Sequence, residues 1–395
     1  MLQNLDLLLT CTRGFEAQAQ AEAEMLGCSI KESFGGGVRV NADFKAAMQV
    51  CLWARTINKV MVGLAEAYVH NEESLYELGR SVPLEPWFSS MTTFCIRSHV
   101  NDGRFKNPVI LSLKVKDGLV DHMRELWGCR ASVDTTRPDI ELSLQIVQKK
   151  ARLFLELQGD PLNMRGYRRR QNMAPIRETL AASMIDVSGW LPCMRFVDPM
   201  CGSGTFAIEA ALIATKTAPG IQRHFGFEKL PFFTGDCKKQ WAALRDEARE
   251  LSKQGRKNYE PLIFASDIDE NALEIALNNA KTAGVDQFIH FQCADVLKLK
   301  PAPGNYIMNP PYGERLRVSG YELPEFYFQL GRHLRAFSNA SLTIISTSEL
   351  LKKNMHMKPD SRIQTYNGPI ACEVANYALG RSDSPYAPTR SGNQK

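Results

Sequence analysis

Apolar and polar positions in the first 60 residues switch repeatedly between a strand-like and a helix-like period. Residues 5–12 form a short apolar run that reads as a strand. Residues 16–26, rich in Ala, Gln and Glu, read as a helix with Gly27 as its cap. Residues 38–41 read as a second strand and 44–53 as another helix. The Gly35-Gly36-Gly37 triplet precedes a strand and opens no helix, so it predicts a tight hairpin rather than a phosphate loop. Over residues 65–160 the alternation continues. Residues 92–98 alternate as a strand, and Leu111, Val115, Leu119 and Met123 recur every four residues in a helix predicted over 108–126. Residues 140–147 and 152–157 read as paired strands. Nothing in this half has catalytic spacing, so it reads as an α+β scaffold or binding module.

From residue 194 the pattern changes. Apolar runs rich in β-branched residues lie at 194–198, 262–267, 289–295, 305–312 and 341–347, with helical segments at 205–217, 271–283 and 324–337 between them. Strand–helix alternation of this kind predicts a doubly wound, mostly parallel sheet covered on both faces. Residues 218–260 interrupt it as an insertion, with a charged helix predicted over 236–255. The last residues, 381–395, lack any apolar pattern and are expected to be disordered.

Composition narrows the class. A chain of 395 residues that is 44% hydrophobic and 23% charged is too long for one core and too ordinary for a disordered or fibrous protein. No run approaches the ~18 apolar residues of a membrane span, and the N-terminus lacks a basic, signal-like start. The ten cysteines include no Cys-x-x-Cys pair, the closest two being eight residues apart. The seven histidines form no metal-binding pair. Reduced, buried thiols in a cytoplasmic protein without a metal are expected. The net charge of +5 is compatible with nucleic acid but does not establish it. A local cluster says more: Arg165, Tyr167, Arg168, Arg169 and Arg170 combine phosphate-neutralising cations with a stacking ring, the composition of an RNA contact or of a solvated linker.

Four strand ends carry candidate chemistry. Asp198-Pro199-Met200-Cys201-Gly202-Ser203-Gly204-Thr205 joins a strand to a helix, where glycines let a ligand approach the backbone. An acid at that strand end disfavours a pyrophosphate and suits a ligand with a cationic end, such as the amino group of S-adenosylmethionine (SAM). The next strand-end acid, Asp267, followed by Ile268, lies 63 residues beyond Gly204, far from a dinucleotide fingerprint's spacing of about 20. Asp267 would hold ribose hydroxyls, and Asp295, followed by Val296, would accept from an adenine amino group. A lone Asp after a strand is most often a cap; three on successive strands face one crevice in this fold. Last comes Asn309-Pro310-Pro311-Tyr312. Two prolines fix the backbone, so the Asn309 side chain and the Pro310 carbonyl can accept both hydrogens of a planar amine while Tyr312 stacks on its ring.

In this order these motifs resemble the class I SAM-dependent methyltransferases that act on exocyclic amines. The continuation Gly313-Glu314-Arg315 is most similar to RNA guanine-N2 methyltransferases, those of bacterial 23S ribosomal RNA above all. The upstream half resembles a ferredoxin-like segment (1–60) and a THUMP domain (45–160), followed by a basic linker and helix (161–190) and a methyltransferase domain (191–380). The resemblance implies SAM held by Pro175, Arg177, Thr179, Asp198, Pro199, Cys201, Gly202, Ser203, Gly204, Thr205, Asp267, Ile268, Asp295, Val296 and Asn309. It implies guanine N2 held by Asn309 and Pro310, with Pro311 and Tyr312 completing the catalytic motif. Ribosomal RNA is the expected partner, with tRNA as the alternative. N6-adenine methylation of DNA and a non-catalytic RNA-binding role are the more distant ones. Some relatives carry a second methyltransferase domain downstream; no second such domain follows here, so a two-reaction function is not expected. The oligomeric state is not legible.

Overall fold

A computed structural model describes residues 2–101, 107–168, 176–312, 317–318 and 320–380. Pro175, Arg169, Arg170, Gly313-Glu314-Arg315 and the tail 381–395 lie outside the described residues. The chain divides into two compact units. Unit 1 comprises Met1–Cys11, Ala19–Arg165 and Ala218–Glu250; unit 2 comprises Thr12–Gln18, Gly166–Thr217 and Leu251–Lys395.

Unit 1 is built on one sheet. Its strands are β1 (Leu5–Cys11), β2 (Ser29–Phe34), β3 (Gly37–Ala42), β4 (Ile57–Tyr68), β5 (Thr93–Asn101), β6 (Ser132–Val133), β7 (Ile140–Val147) and β8 (Lys150–Glu156), in the order β2-β3-β1-β4-β8-β7-β5-β6. Helices α1 (Glu16–Met25), α2 (Phe44–Trp53), α3 (Glu72–Arg80) and α4 (Pro108–Trp127) punctuate it. The predicted hairpin forms: β2 and β3 pair antiparallel, and Gly36 takes φ +91° in the turn. The sequence reading leaves out β4, yet this strand pairs with β1 through Ile57–Val62 and with β8 through Met61–Tyr68. It joins the ferredoxin-like and THUMP-like segments into one sheet. Its inward and outward positions alternate only weakly, which hides it from a period-2 search. Helices α3 and α4 touch at Gly79 and Gly118, where a Cβ on Gly118 would lie 1.9 Å from the Tyr76 carbonyl oxygen.

The insertion contributes to this unit's core. Phe225, Phe227, Phe233 and Trp241 are buried in the same cluster as Phe44, Met48 and Leu52. Phe44 meets Phe227 edge-on at 5.8 Å, and Phe227 meets Trp241 at 5.1 Å.

Unit 2 has the order β11-β10-β9-β12-β15-β17-β16, from β9 (Phe196–Asp198), β10 (Ile263–Asp267), β11 (Ile289–Cys293), β12 (Gly304–Met308), β15 (Ala340–Ser346), β16 (Ser361–Asn367) and β17 (Ile370–Leu379). Two short strands, β13 (Arg317–Val318) and β14 (Tyr321–Glu322), pair apart from it. The strands from β11 to β15 run parallel and β16 and β17 antiparallel, which is the predicted doubly wound, mostly parallel sheet. Helix α5 (Glu178–Val187) precedes β9, and helices α6 (Thr205–Ala214), α8 (Glu270–Ala283), α9 (Leu323–Leu334) and α10 (Ser348–Asn354) lie between the later strands. Helix α7 (Gly235–Asn258) begins in unit 1 and ends in unit 2. Strand order reverses between β9 and β12, so a crevice opens outside their carboxyl ends. Among the described residues, no helix is long and apolar enough to cross a membrane.

Candidate functional site

The carboxyl ends of β9, β10, β11 and β12 bring Asp198, Asp267, Asp295 and Asn309 to one edge of the unit 2 sheet. After β9 the chain turns through Gly202 (φ +53°) and Gly204 (φ +81°) into α6. These φ values favour glycine. At Gly204 a Cβ would also meet that of Ala276 on α8 at 3.0 Å. The turn is tied to its neighbours. Gly202 donates its N–H to the Asp267 carboxylate at 2.9 Å, Cys201 donates its N–H to the Ser266 carbonyl at 2.9 Å, and Asn279 donates to the Ser203 carbonyl at 3.0 Å.

Asp198 is wholly buried, and neither carboxylate oxygen has a hydrogen-bond partner. Burial, and after it the charge of Asp267, holds its pKa well above the usual carboxylate range. The Met200 N–H offsets part of this without reaching hydrogen-bond geometry. A buried, unpaired acid is costly unless a cation or donor joins it. Burial also raises the Cys201 thiol, which leaves it neutral and unsuited to attack. Pro199, Ser203, Thr205 and Thr179 are buried around the turn, while Arg177 is exposed at the start of α5. Ile268 is 52% exposed beyond Asp267. Asp295 caps a short turn by accepting from the Leu297 N–H at 3.0 Å, and Val296 is buried behind it. A groove of about 570 Å³ opens beside Asp295, lined also by Lys298, Tyr321, Arg332 and His333.

The Asn309-Pro310-Pro311-Tyr312 segment is braced from two sides. Tyr327 of α9, fully buried, donates its hydroxyl to the Pro311 carbonyl at 3.2 Å and accepts from Ser346 at 2.5 Å. Asn367 donates its amide to the Tyr312 hydroxyl at 2.8 Å. Burial pushes the Tyr312 hydroxyl pKa above its ordinary range, so it stays protonated through neutral pH. Asn309 Oδ1 is buried and has no hydrogen-bond partner.

The arginine cluster requires a correction. Arg165 is buried and donates to the carbonyls of Ala54, Leu162 and Arg55. Tyr167 is buried with its hydroxyl on Glu209 at 3.1 Å. Arg168 pairs with Glu178 at 3.2 Å and donates to Thr205 at 2.8 Å and to the Ile176 carbonyl at 3.0 Å. The terminal guanidinium donors named here and the Tyr167 hydroxyl thus fasten the chain internally, in low-dielectric surroundings where such bonds are strong. Conversely, the sequence reading overlooks Asn367. Its signal is visible: Gly368-Pro369 behind it, between strand-like runs, is the Gly-first two-residue loop of a type II′ hairpin, and Gly368 takes φ +61°.

Residues 165–376 match the family model described as RMKL-like, methyltransferase domain. Residues 69–156 match the THUMP domain and residues 6–61 the RlmL ferredoxin-like domain. The chain is 34% identical over 379 residues to ribosomal RNA large subunit methyltransferase K/L of Photobacterium profundum, covering 94% of this chain and 52% of that protein. Against the same enzyme of Psychromonas ingrahamii the identity is 34% over 381 residues, covering 95% and 50%. This chain therefore spans about half the length of the curated relatives it matches. Among solved structures it is similar to SMU.472, assigned as a methyltransferase and solved as a complex with SAH, with TM-score 0.85, 26% identity, and 96% and 100% of the two chains covered. It is also similar to a predicted N6-adenine-specific DNA methylase from Listeria monocytogenes, with TM-score 0.83, 27% identity, and 95% and 96% covered.

Proposed function

The chain belongs to the family of RMKL-like methyltransferases, and from that premise we propose that it methylates the exocyclic N2 of a guanine in 23S ribosomal RNA with SAM as donor. The observation that carries the reading is the buried, unpartnered Asn309 Oδ1, an acceptor held by two prolines at the end of β12.

The site fits SAM on its own terms. Asp198 is an orphaned carboxylate beside a glycine turn, which suits the cationic amino group of a methionine moiety. Asp267 and Asp295 lie along the same strand-end edge for the ribose and the adenine, with Ile268 exposed beside Asp267. Bound SAM supplies an electrophilic methyl group. The protein's own residues do the rest. Asn309 Oδ1 and the Pro310 carbonyl accept the two N2 hydrogens of the guanine. That turns the nitrogen lone pair away from conjugation and toward the methyl carbon. Tyr312 stacks on the extruded base. Once methylated, the amine would release its proton to water, so no strong protein base would be required.

Unit 1, whose residues 69–156 match the THUMP domain, is the part read as holding RNA. The curated relatives' name indicates ribosomal RNA for those proteins, and a cytoplasmic setting follows from that substrate. The second reading is an exocyclic adenine amine, as in the name of the Listeria protein, since two acceptors and a ring can hold a planar amine on either base. Incubating the protein with methyl-labelled SAM, unmodified ribosomal RNA, tRNA and DNA in parallel decides between them. Label on guanine N2 of 23S RNA is expected. Label on adenine selects the second reading, label on tRNA changes the substrate, and no transfer to any nucleic acid overturns the proposal.

A further inference from the structure

The loop that joins β1 to α1 is part of the methyltransferase unit. Residues Thr12–Gln18 belong to unit 2, and Phe15 is fully buried in that unit's core, in the cluster against which Ile363 of β16 packs. The loop lies along β16. Thr365 donates its hydroxyl to the Arg13 carbonyl at 2.8 Å. Gly14 takes φ +93°, and a Cβ there would sit 2.3 Å from the Gln364 carbonyl oxygen, so only glycine lets the loop approach the strand this closely. Two positions beyond Thr365, and therefore on the same face of the sheet, Asn367 donates to the Tyr312 hydroxyl.

We propose that Thr365 and Asn367 are positioning residues for Tyr312: the loop clamps β16 through Thr365, and Asn367 at the strand's end aims the ring that receives the target base. The inference rests on the reading of Tyr312 given above. Pro311 fixes the ring's attachment point but not its far end, which packs against the unit 2 core and meets the Cys372 side chain as well as Asn367. The Asn367 amide restrains that far end, where a small angular error would displace a stacked base most. A modest misplacement of reacting groups lowers the transfer rate steeply while leaving cofactor binding untouched.

Single-turnover methyl transfer from labelled SAM to unmodified ribosomal RNA tests this in the full chain, with SAM affinity and melting temperature measured alongside. Asn367→Ala is expected to slow transfer roughly fivefold to tenfold, the scale of one lost hydrogen bond, with SAM affinity within about twofold. In a Tyr312→Phe background, which already lacks the hydroxyl, Asn367→Ala should add nothing. Thr365→Val should slow transfer, and Thr365→Ser, which keeps the hydroxyl, should restore it. Additive losses in the double variant, or equal rates for Thr365→Val and Thr365→Ser, overturn the positioning role even if the variants are less stable. Failure of the unaltered protein to methylate any RNA would instead refute the reading of the site on which this rests.

Discussion

Gly202 donates its backbone N–H to the carboxylate of Asp267 at 2.9 Å, so the glycine turn after β9 is tethered to the end of β10. The second Asp267 oxygen accepts from the Asp269 N–H at 3.0 Å. One carboxylate thus sets the turn's conformation and begins the next helix, and it stands on the edge where the cofactor is proposed to lie.

Asp267→Asn tests that double duty. An amide has one acceptor oxygen where the carboxylate has two, so one of the two N–H groups loses its partner. SAM affinity should fall about tenfold or more, the scale of losing a hydrogen bond to a charged group, as read by calorimetric titration. Unchanged affinity would remove Asp267 from the cofactor site.

Asp198 yields a prediction with a defined sign. Its folded pKa is raised above the ordinary value of 3.8 by burial and the nearby charge of Asp267. The folded state therefore holds the proton more tightly than the unfolded chain. Stability from this group is fully present below pH 3.8 and is lost as pH rises through the raised folded value. Asp198→Asn should melt several degrees higher than the parent at pH 8 without cofactor, and SAM should no longer raise its melting temperature. Thermal scans from pH 4 to pH 9, with and without SAM, check both halves. A variant that still responds to SAM refutes the assigned role.

Asn309→Ala removes the unpartnered acceptor. Transfer should be abolished while SAM binding stays close to normal. Simultaneous loss of SAM binding would show that Asn309 serves the cofactor rather than the base.

Arg165→Ala leaves the carbonyls of Ala54, Arg55 and Leu162 without that donor in a buried setting. A stability loss of ~1–3 kcal/mol is expected, measured by denaturant titration. The salt dependence of RNA binding should keep its slope, because Arg165 reaches no phosphate. A flattened slope with unchanged stability would restore it to the RNA surface.

Phe227→Ala should cost about 3–5 kcal/mol, since this ring is fully buried among Phe44, Phe225, Phe233 and Trp241. The loss should appear in hydrogen exchange of unit 1 amides such as those of α2. Protection lost only around β9–β12 would mean the insertion serves the other unit.

Much of this was readable in the chain. The apolar runs ending in Asp198, Asp267 and Asn309 are largely buried parallel strands, whose near-continuous hydrophobicity is hard to mistake, and the edge strand before Asp295 keeps the same strand–helix rhythm although most of it is exposed. Local patterns hide what depends on distant partners. Arg165 and Arg168 look like surface cations because sequence shows a charge but not the carbonyls of Ala54 and Arg55 or the carboxylate of Glu178 that meet it. The aromatic residues after 218 look like an interruption because Phe44, their partner, lies far upstream. β4 escapes because a register irregularity between Gly63 and Ala65 breaks its period-2 alternation.

The bond from Thr365 to the Arg13 carbonyl spans 352 positions of chain. A ribosome adding about 5–20 residues per second makes Arg13 roughly 20–70 s before Thr365 exists. During that interval Phe15 has no complete core to enter. This loop must therefore wait for β16, so emergence of that strand, rather than of the segment that carries Arg13, is what lets Phe15 and its loop settle.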